Sequence, residues 1–368
     1  MPARPPPLLD LIDAAELALL LASPSPPLLL DVSISPLHRP SECIPGARLC
    51  DMAQFDLYLD DAPSVPARLP GNYNLRPAAE LRRALERLGV HAQAHAVVYT
   101  QRLAPPAEAA PPAVRRGDPV VAARLAWLLC VAGVRRVSLL EGGLAAWARR
   151  GGPLAPPPPP PRLAAPAAVD FFGGGRLPFP LHPELVATTE EVEAAAGGAR
   201  GVTVADVRSW REFVGAGHDY PFPLPCGRIP TARWAHWGPS TYDGADFYWT
   251  AGEASGALKP LQSVRRLWES WGIDVDAGGE GHRLIFYCGS GWRSAMAWCL
   301  ARLMGHENVA NYDGGMLEWS MCHPAAAEHP IEKGWPWGEA PQPRPATPCS
   351  CGQEHGVPPP IPAAKLVR

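Results

Sequence analysis

Between residues 134 and 147 the chain reads VRRVSLLEGGLAAW, and between 306 and 319 it reads HENVANYDGGMLEW. The two blocks align without a gap through Gly142-Gly143 and Gly314-Gly315 and close on Trp147 and Trp319. Upstream, LLLDVS (28–33) answers VTVADVRS (202–209), CIPGAR (43–48) answers RIPTAR (228–233), and RLGV (87–90) answers SWGI (270–273). The offset changes from block to block, as loop insertions would make it. Each half thus runs in one order: a buried strand ending in Asp-Val, an Ile-Pro turn, a helix ending in Gly, a second apolar strand, a helix, a strand and a Gly-Gly turn. Strands alternating with helices predict an α/β fold, a parallel sheet with helices on both faces, built twice in tandem.

A chain of 368 residues is also more than one core usually fills. The proline run LAPPPPPPRLAAPAA lies between the copies and favours an extended, semi-rigid linker, because proline supplies no N–H donor. The expected division is an N-terminal copy at 1–153, a linker at 154–168, a C-terminal copy at 169–340 and a disordered, proline-rich tail at 341–368. Within that tail PCSCGQEHG holds Cys349, Cys351 and His355, too few ligands for a zinc site. Basic and acidic residues nearly balance, 33 against 36, so neither nucleic acid nor an anionic membrane is an expected partner. No apolar run reaches the ~18 to 20 residues of a membrane span, and acids interrupt the apolar N-terminal stretch where a signal peptide would have none. Nine scattered cysteines do not form a secreted disulfide framework, so the expected compartment is a reducing one, the cytoplasm, with a mitochondrion as the alternative.

The stretch LIFYCGSGWRSAMAWCLARLMG, 284–305, is the chemically loaded one. It reads as a strand, a tight loop and a helix, with Cys288 at the turn. Ligands of open parallel sheets sit beyond the carboxyl ends of the strands, where this thiol falls. A thiol of ordinary pKa near 8.5 is only about 3% thiolate at pH 7, whereas one at about 6.5 is about 75% thiolate. That difference asks for about 2.7 kcal/mol of preferential stabilisation of the anion. Gly289, Ser290 and Gly291 leave the backbone free to turn its N–H groups inward, and a helix beginning near Ser294 would add its unsatisfied donors and positive dipole end. A merely packed cysteine at a strand end, a frequent use of free thiols, needs no such loop.

The segment YCGSGWRSAMAWCLARLMGHENVANYDGGMLEWS resembles the active-site segment of rhodanese-family sulfurtransferases. DVRSWREFVG (206–215) and GRIPTARWAHW (227–237) resemble that family's other recurring segments, in matching order. The resemblance implies two tandem rhodanese-like domains with the catalytic cysteine in the second, and a persulfide cycle. Cys288 would take the outer sulfur of thiosulfate and pass it to cyanide or another thiophilic acceptor, with no cofactor and no metal. It implies that Arg208 contacts the anionic donor, and that Gly289, Ser290, Gly291, Trp292 and Arg293 form the donor-binding loop. From the residues alone, Arg208 could equally pair with Asp206, and Arg293 could brace the loop through backbone carbonyls. Arg211 and Glu212 read as solvated helix-surface charges. The partners implied are small molecules, a donor and a thiophilic acceptor.

CGSG is also similar to the loop of mercaptopyruvate sulfurtransferases, but those continue with Val-Thr where this chain has Trp292-Arg293. That ending resembles microbial-type tandem proteins read as thiosulfate sulfurtransferases, so thiosulfate is the expected donor and mercaptopyruvate the alternative. A cysteine phosphatase needs a loop one residue longer between Cys and Arg to wrap a phosphate. The N-terminal copy has Thr100 where Cys288 stands and Ser33 where Arg208 stands, so it is expected to be noncatalytic, walling one side of the site; a noncatalytic binding module is the alternative for the whole chain. WGPSTYDGADFYWT, 237–250, could rim the donor pocket, though loop packing accounts for it as well. Cys299 is expected in the core, Cys322 behind the Gly-Gly turn, and Trp335 and Trp337 against the C-terminal copy.

Overall fold

The computed structural model describes residues 8–33, 41–56, 75–101, 119–158, 179–218, 220, 224–236, 258–275, 281–322 and 325–336. Most of the expected linker, the stretch 237–250, Trp337 and the tail lie outside the described residues, as does the side chain of Cys322.

Two parallel sheets form, as the repeat demands. The N-terminal half contributes β1 (Leu9–Ile12), α1 (Ala14–Leu21), β2 (Leu28–Ser33), β3 (Arg48–Asp51), α2 (Ala78–Arg87), β4 (His95–Tyr99), α3 (Pro119–Ala132), β5 (Arg136–Leu140) and α4 (Gly143–Arg149). Its sheet runs in the order β1-β5-β4-β2-β3. The C-terminal half contributes α5 (Thr189–Ala196), β6 (Val202–Asp206), α6 (Trp210–Phe213), β7 (Arg233–Trp234), α7 (Leu261–Glu269), β8 (Arg283–Tyr287), α8 (Trp292–Leu303), β9 (Val309–Tyr312) and the single turn α9 (Gly315–Leu317). Here the order is β7-β6-β8-β9, and a parallel bridge from Val186 to Asn311 stands where β1 pairs with β5 in the first sheet.

The registers repeat residue for residue. Asp31 of β2 lies beside Tyr99 of β4, and Asp206 of β6 lies beside Tyr287 of β8. Each tyrosine hydroxyl accepts the N–H of the isoleucine in the Ile-Pro turn, Ile44 on Tyr99 and Ile229 on Tyr287, both at 3.1 Å. The motifs that aligned in sequence therefore align because one hydrogen bond to a tyrosine hydroxyl anchors each turn to the central strand.

Helices α3 and α8 pack against each other and join the halves. Neither shows one polar face: α3 is buried from Val120 to Ala132 and α8 from Trp292 to Ala301. Helices apolar all round belong in a core, and one apolar cluster here runs through residues of both halves. Small residues let the backbones approach. The Cys299 thiol, on α8 and buried as expected, lies 3.5 Å from the carbonyl of Ala123 on α3.

One substitution between the copies has a calculable effect. Asp206 is ion-paired by Arg208, but the N-terminal copy has Ser33 in that place, and the buried Asp31 is left with hydrogen bonds to Gln101 and Tyr99. Burial pushes the Asp31 carboxyl up from 3.8 to about 7, against the pull of those two hydrogen bonds. With its folded pKa above its unfolded one, this group costs stability progressively as pH rises from about 4 to about 7. Asp31→Asn is therefore expected to stabilise the protein by up to about 4 kcal/mol at pH 8, with the gain fading towards pH 4. Denaturant unfolding of both proteins across that range measures it.

Candidate active site

Strand β8 ends at Tyr287, Cys288 follows at once, and α8 starts at Trp292, two residues before the position expected from the sequence. Cys288 is only 1% exposed. The Ser294 hydroxyl, in the first turn of α8, donates to its sulfur at 3.5 Å. Gly291 caps the helix at φ +76, and a Cβ there would strike Asp313. No other residue fits both the left-handed backbone and that contact.

What holds the loop is the Gly314-Gly315 turn. Gly315, at φ +56, brings its Cα so near the loop that a Cβ would stand 2.5 Å from the Cys288 carbonyl oxygen. Met316 N–H then donates to the Cys288 carbonyl at 2.8 Å, and Leu317 N–H to that of Gly289 at 3.1 Å. The Gly291 carbonyl accepts Asn311 Nδ2 at 3.1 Å. In a trans peptide the C=O and the next N–H point in opposite directions. Carbonyls tied back towards β9 and the Gly-Gly turn therefore direct the amides of Gly289, Ser290 and Trp292 to the other side. A ring of amides beside a sulfur is a site for an anion.

The N-terminal copy builds the same turn around a threonine. Gly143, at φ +54, would place a Cβ 2.5 Å from the Thr100 carbonyl oxygen, and Leu144 N–H donates to that carbonyl at 3.0 Å. Thr100 thus occupies the place of Cys288.

Both arginines singled out in the sequence are buried and carboxylate-bound. Arg208 forks onto Asp206, with Nε to Oδ1 at 2.9 Å and Nη2 to Oδ2 at 2.6 Å, and also donates to the Gly227 carbonyl. Tyr287 OH donates to the same carboxylate at 2.7 Å, and Trp234 Nε1 donates to the Arg208 carbonyl at 2.7 Å. Arg208 thereby ties the end of β6 to β8 and to the Ile-Pro turn. Arg293, on the first turn of α8, grips Glu212 with Nη1 to Oε2 and Nη2 to Oε1, both at 3.0 Å, and donates to Tyr220 OH. Each cation lies opposite an anion of its own, so attraction for a charged donor falls mainly to the loop amides.

Glu212 corrects the expectation of a solvated helix charge. It is wholly buried because α6 is one short turn facing inward, where Glu212 closes a capping box on Ser209, accepting Ser209 N–H at 2.9 Å and its hydroxyl at 2.7 Å. Burial alone would raise its carboxyl, but the Arg293 guanidinium overrides this and holds it down at about 2. Tyr220 was not foreseen. Its hydroxyl sits where a Cβ on Gly289 would point, so the phenol closes over the loop and excludes any larger residue at 289. Burial pushes the Tyr220 phenol well above its ordinary value, so it is a neutral hydrogen-bonding group beside the thiol. Trp335 packs edge-on against Trp210 at 5.2 Å between centroids.

Residues 188–322 match the family model for the Rhodanese-like domain. The chain is 33% identical over 203 residues to the thiosulfate sulfurtransferase YnjE of Escherichia coli, a match covering 55% of this chain but 43% of that protein. It therefore spans less than half the length of that relative. It is 28% identical over 323 residues to a thiosulfate sulfurtransferase of Pseudomonas aeruginosa, covering 87% of this chain and 96% of that one. Among solved structures, the anaerobic ergothioneine biosynthesis enzyme from Chlorobium limicola, in complex with trimethyl histidine, superposes with a TM-score of 0.70 at 26% identity, over 89% of this chain and 70% of that one.

Because Arg208 and Asp206 are buried together, Arg208→Ala strands a carboxylate and is expected to cost about 3 to 5 kcal/mol of stability. Chemical denaturation reads this directly. An unchanged midpoint with a raised donor KM would instead set Arg208 against the donor.

Proposed function

We propose that the chain is a rhodanese-family sulfurtransferase that relays one sulfane sulfur through Cys288, a reading supported by the family match over residues 188–322 and by the named relatives. The observation that carries this reading is the pinned loop: three carbonyls held back on one face, and on the other a buried thiol beside the Ser294 hydroxyl. Such a loop offers one nucleophilic sulfur and, one atom further out, amides to hold a persulfide anion.

The cycle is a double displacement. The Cys288 thiolate attacks the outer sulfur of thiosulfate, the S–S bond of the donor breaks, and sulfite departs with the bonding pair. The outer sulfur of the Cys288 persulfide is then attacked by cyanide or another thiophilic acceptor, and the thiolate is returned. Electrons and atoms balance without any cofactor. The amides of Gly289, Ser290, Gly291 and Trp292 would hold the anionic donor and persulfide, while Arg293 on Glu212 and Arg208 on Asp206 brace the elements around the loop. Thiosulfate is the proposed donor, supported by the Trp292-Arg293 ending and by the names of the relatives. Mercaptopyruvate is the alternative that the CGSG loop favours. Among the described residues no helix is long and apolar enough to cross a membrane.

Steady-state transfer to cyanide from each donor tests the reading. Thiosulfate should give the larger kcat/KM, with parallel-line kinetics, and Cys288→Ser should abolish turnover with unfolding unchanged, because a hydroxyl cannot carry a transferable sulfur. A larger kcat/KM with mercaptopyruvate would move the assignment to that donor; turnover by the Ser variant would remove Cys288 from the chemistry.

A further inference from the structure

The N-terminal copy has Thr100 in the place of Cys288, yet one of its side chains reaches the loop of the other half. Arg124 lies in the middle of α3, on the apolar helix packed against α8, and is wholly buried. Its guanidinium divides between the two halves. On its own side it binds Asp56, Nη2 at 3.0 Å and Nε at 3.3 Å from Oδ2. Across the interface Nη1 donates to Asp313, the residue before the Gly-Gly turn, and approaches the Gly291 carbonyl at 3.4 Å. The guanidinium carbon stands 5.9 Å from the ring of Trp292, the residue whose amide follows that carbonyl.

We propose that Arg124 is a positioning residue for the active site in the other half of the chain: by holding Asp313 and the Gly291 carbonyl, it fixes the Gly291-Trp292 peptide with its N–H towards Cys288. The proposal rests on the sulfur-transfer reading for its consequence in turnover, but its geometry is independent of donor and acceptor. The Gly291 carbonyl accepts the first helical bond of α8 from Ala295 N–H at 3.2 Å, and Asn311 and Arg124 add to it from the side of β9 and of α3. Asp313 in turn stands against Gly291 so closely that a Cβ would collide with it. Were the guanidinium absent, the buried carboxylates of Asp56 and Asp313 would lose the cation between them, and Asp313 would lose the donor that holds it in its place against Gly291. The noncatalytic copy would then be retained as part of the catalytic machinery's support, and not only as a wall.

An Arg124→Ala chain loses the cation that two buried carboxylates share and can fail to fold. Arg124→Lys keeps the charge but replaces a fork by a single ammonium that cannot span Asp56, Asp313 and the Gly291 carbonyl at once. Asp56→Asn is the control, since it weakens the same buried cluster from the far side and leaves both loop contacts in place. Three readouts separate position from stability: unfolding midpoint, the split between kcat and KM for thiosulfate, and the rate of Cys288 alkylation by iodoacetamide, followed on its peptide by mass spectrometry. Arg124→Lys should lower kcat and the alkylation rate about tenfold or more with KM changed less than about twofold, whereas Asp56→Asn should lower the unfolding midpoint and leave both rates within about twofold. A folded Arg124→Lys protein with wild-type rates, or an Asp56→Asn protein as slow as Arg124→Lys, would overturn the proposal. Alkylation needs no sulfur donor, so a wild type inactive with thiosulfate and mercaptopyruvate would defeat the functional reading while leaving this one decided by the alkylation rates.

Discussion

A hydrogen bond from the amide after the Gly-Gly turn to the carbonyl of the residue after the central strand organises each half of this chain. In the C-terminal half it joins Met316 to Cys288, and in the N-terminal half Leu144 to Thr100. Forming it requires a backbone approach that a Cβ at Gly315 or Gly143 would block. Once the carbonyl is held there, the following amides must face the opposite way. The anion cradle is thus a consequence of how the sheet is tied to the turn behind it. Chemistry enters only through what stands at the gripped position, a thiol in one half and a threonine in the other.

The charges around the cradle follow from burial. A guanidinium or carboxylate cannot be taken from water without a partner, and the site meets this with Arg208 on Asp206, Arg293 on Glu212 and Arg124 between Asp56 and Asp313. These groups fix the ends of β6, α6 and β9 around the loop more than they supply net positive charge. The N-terminal copy shows the converse, because losing the arginine at Ser33 leaves Asp31 to take up a proton near neutrality. A site whose cations are already engaged would bind an anion through oriented amides, which keep their direction whatever the ionic strength.

The architecture was legible because the repeated blocks coincide with structural anchors: the Asp-Val strand ends pair with the central strands, the Ile-Pro turns bond their tyrosine hydroxyls, and the Gly-Gly turns grip the carbonyl just beyond them. Cys288 was legible for the same reason, as a thiol between a strand and a glycine loop. Glu212 carried a signal in Ser209-Trp-Arg-Glu212, the spacing of a capping box, but a capping glutamate usually faces solvent and only the tertiary fold buries it. Arg124 carried another, as one charge within VVAARLAWLLCVAGV, since a buried charge must find partners. Tyr220 had no local signal at all; it meets the loop only through the path of the chain after α6.

The central claim is that the loop presents one nucleophilic sulfur and stabilises a persulfide upon it. Mass spectrometry of the intact protein after thiosulfate, with no acceptor present, tests it most directly, followed by digestion to locate the modification. The account predicts one added sulfur atom on the peptide containing Cys288, released by cyanide as thiocyanate. Sulfur found instead on Cys226, Cys299 or Cys322, or no added sulfur with either thiosulfate or mercaptopyruvate, would contradict it.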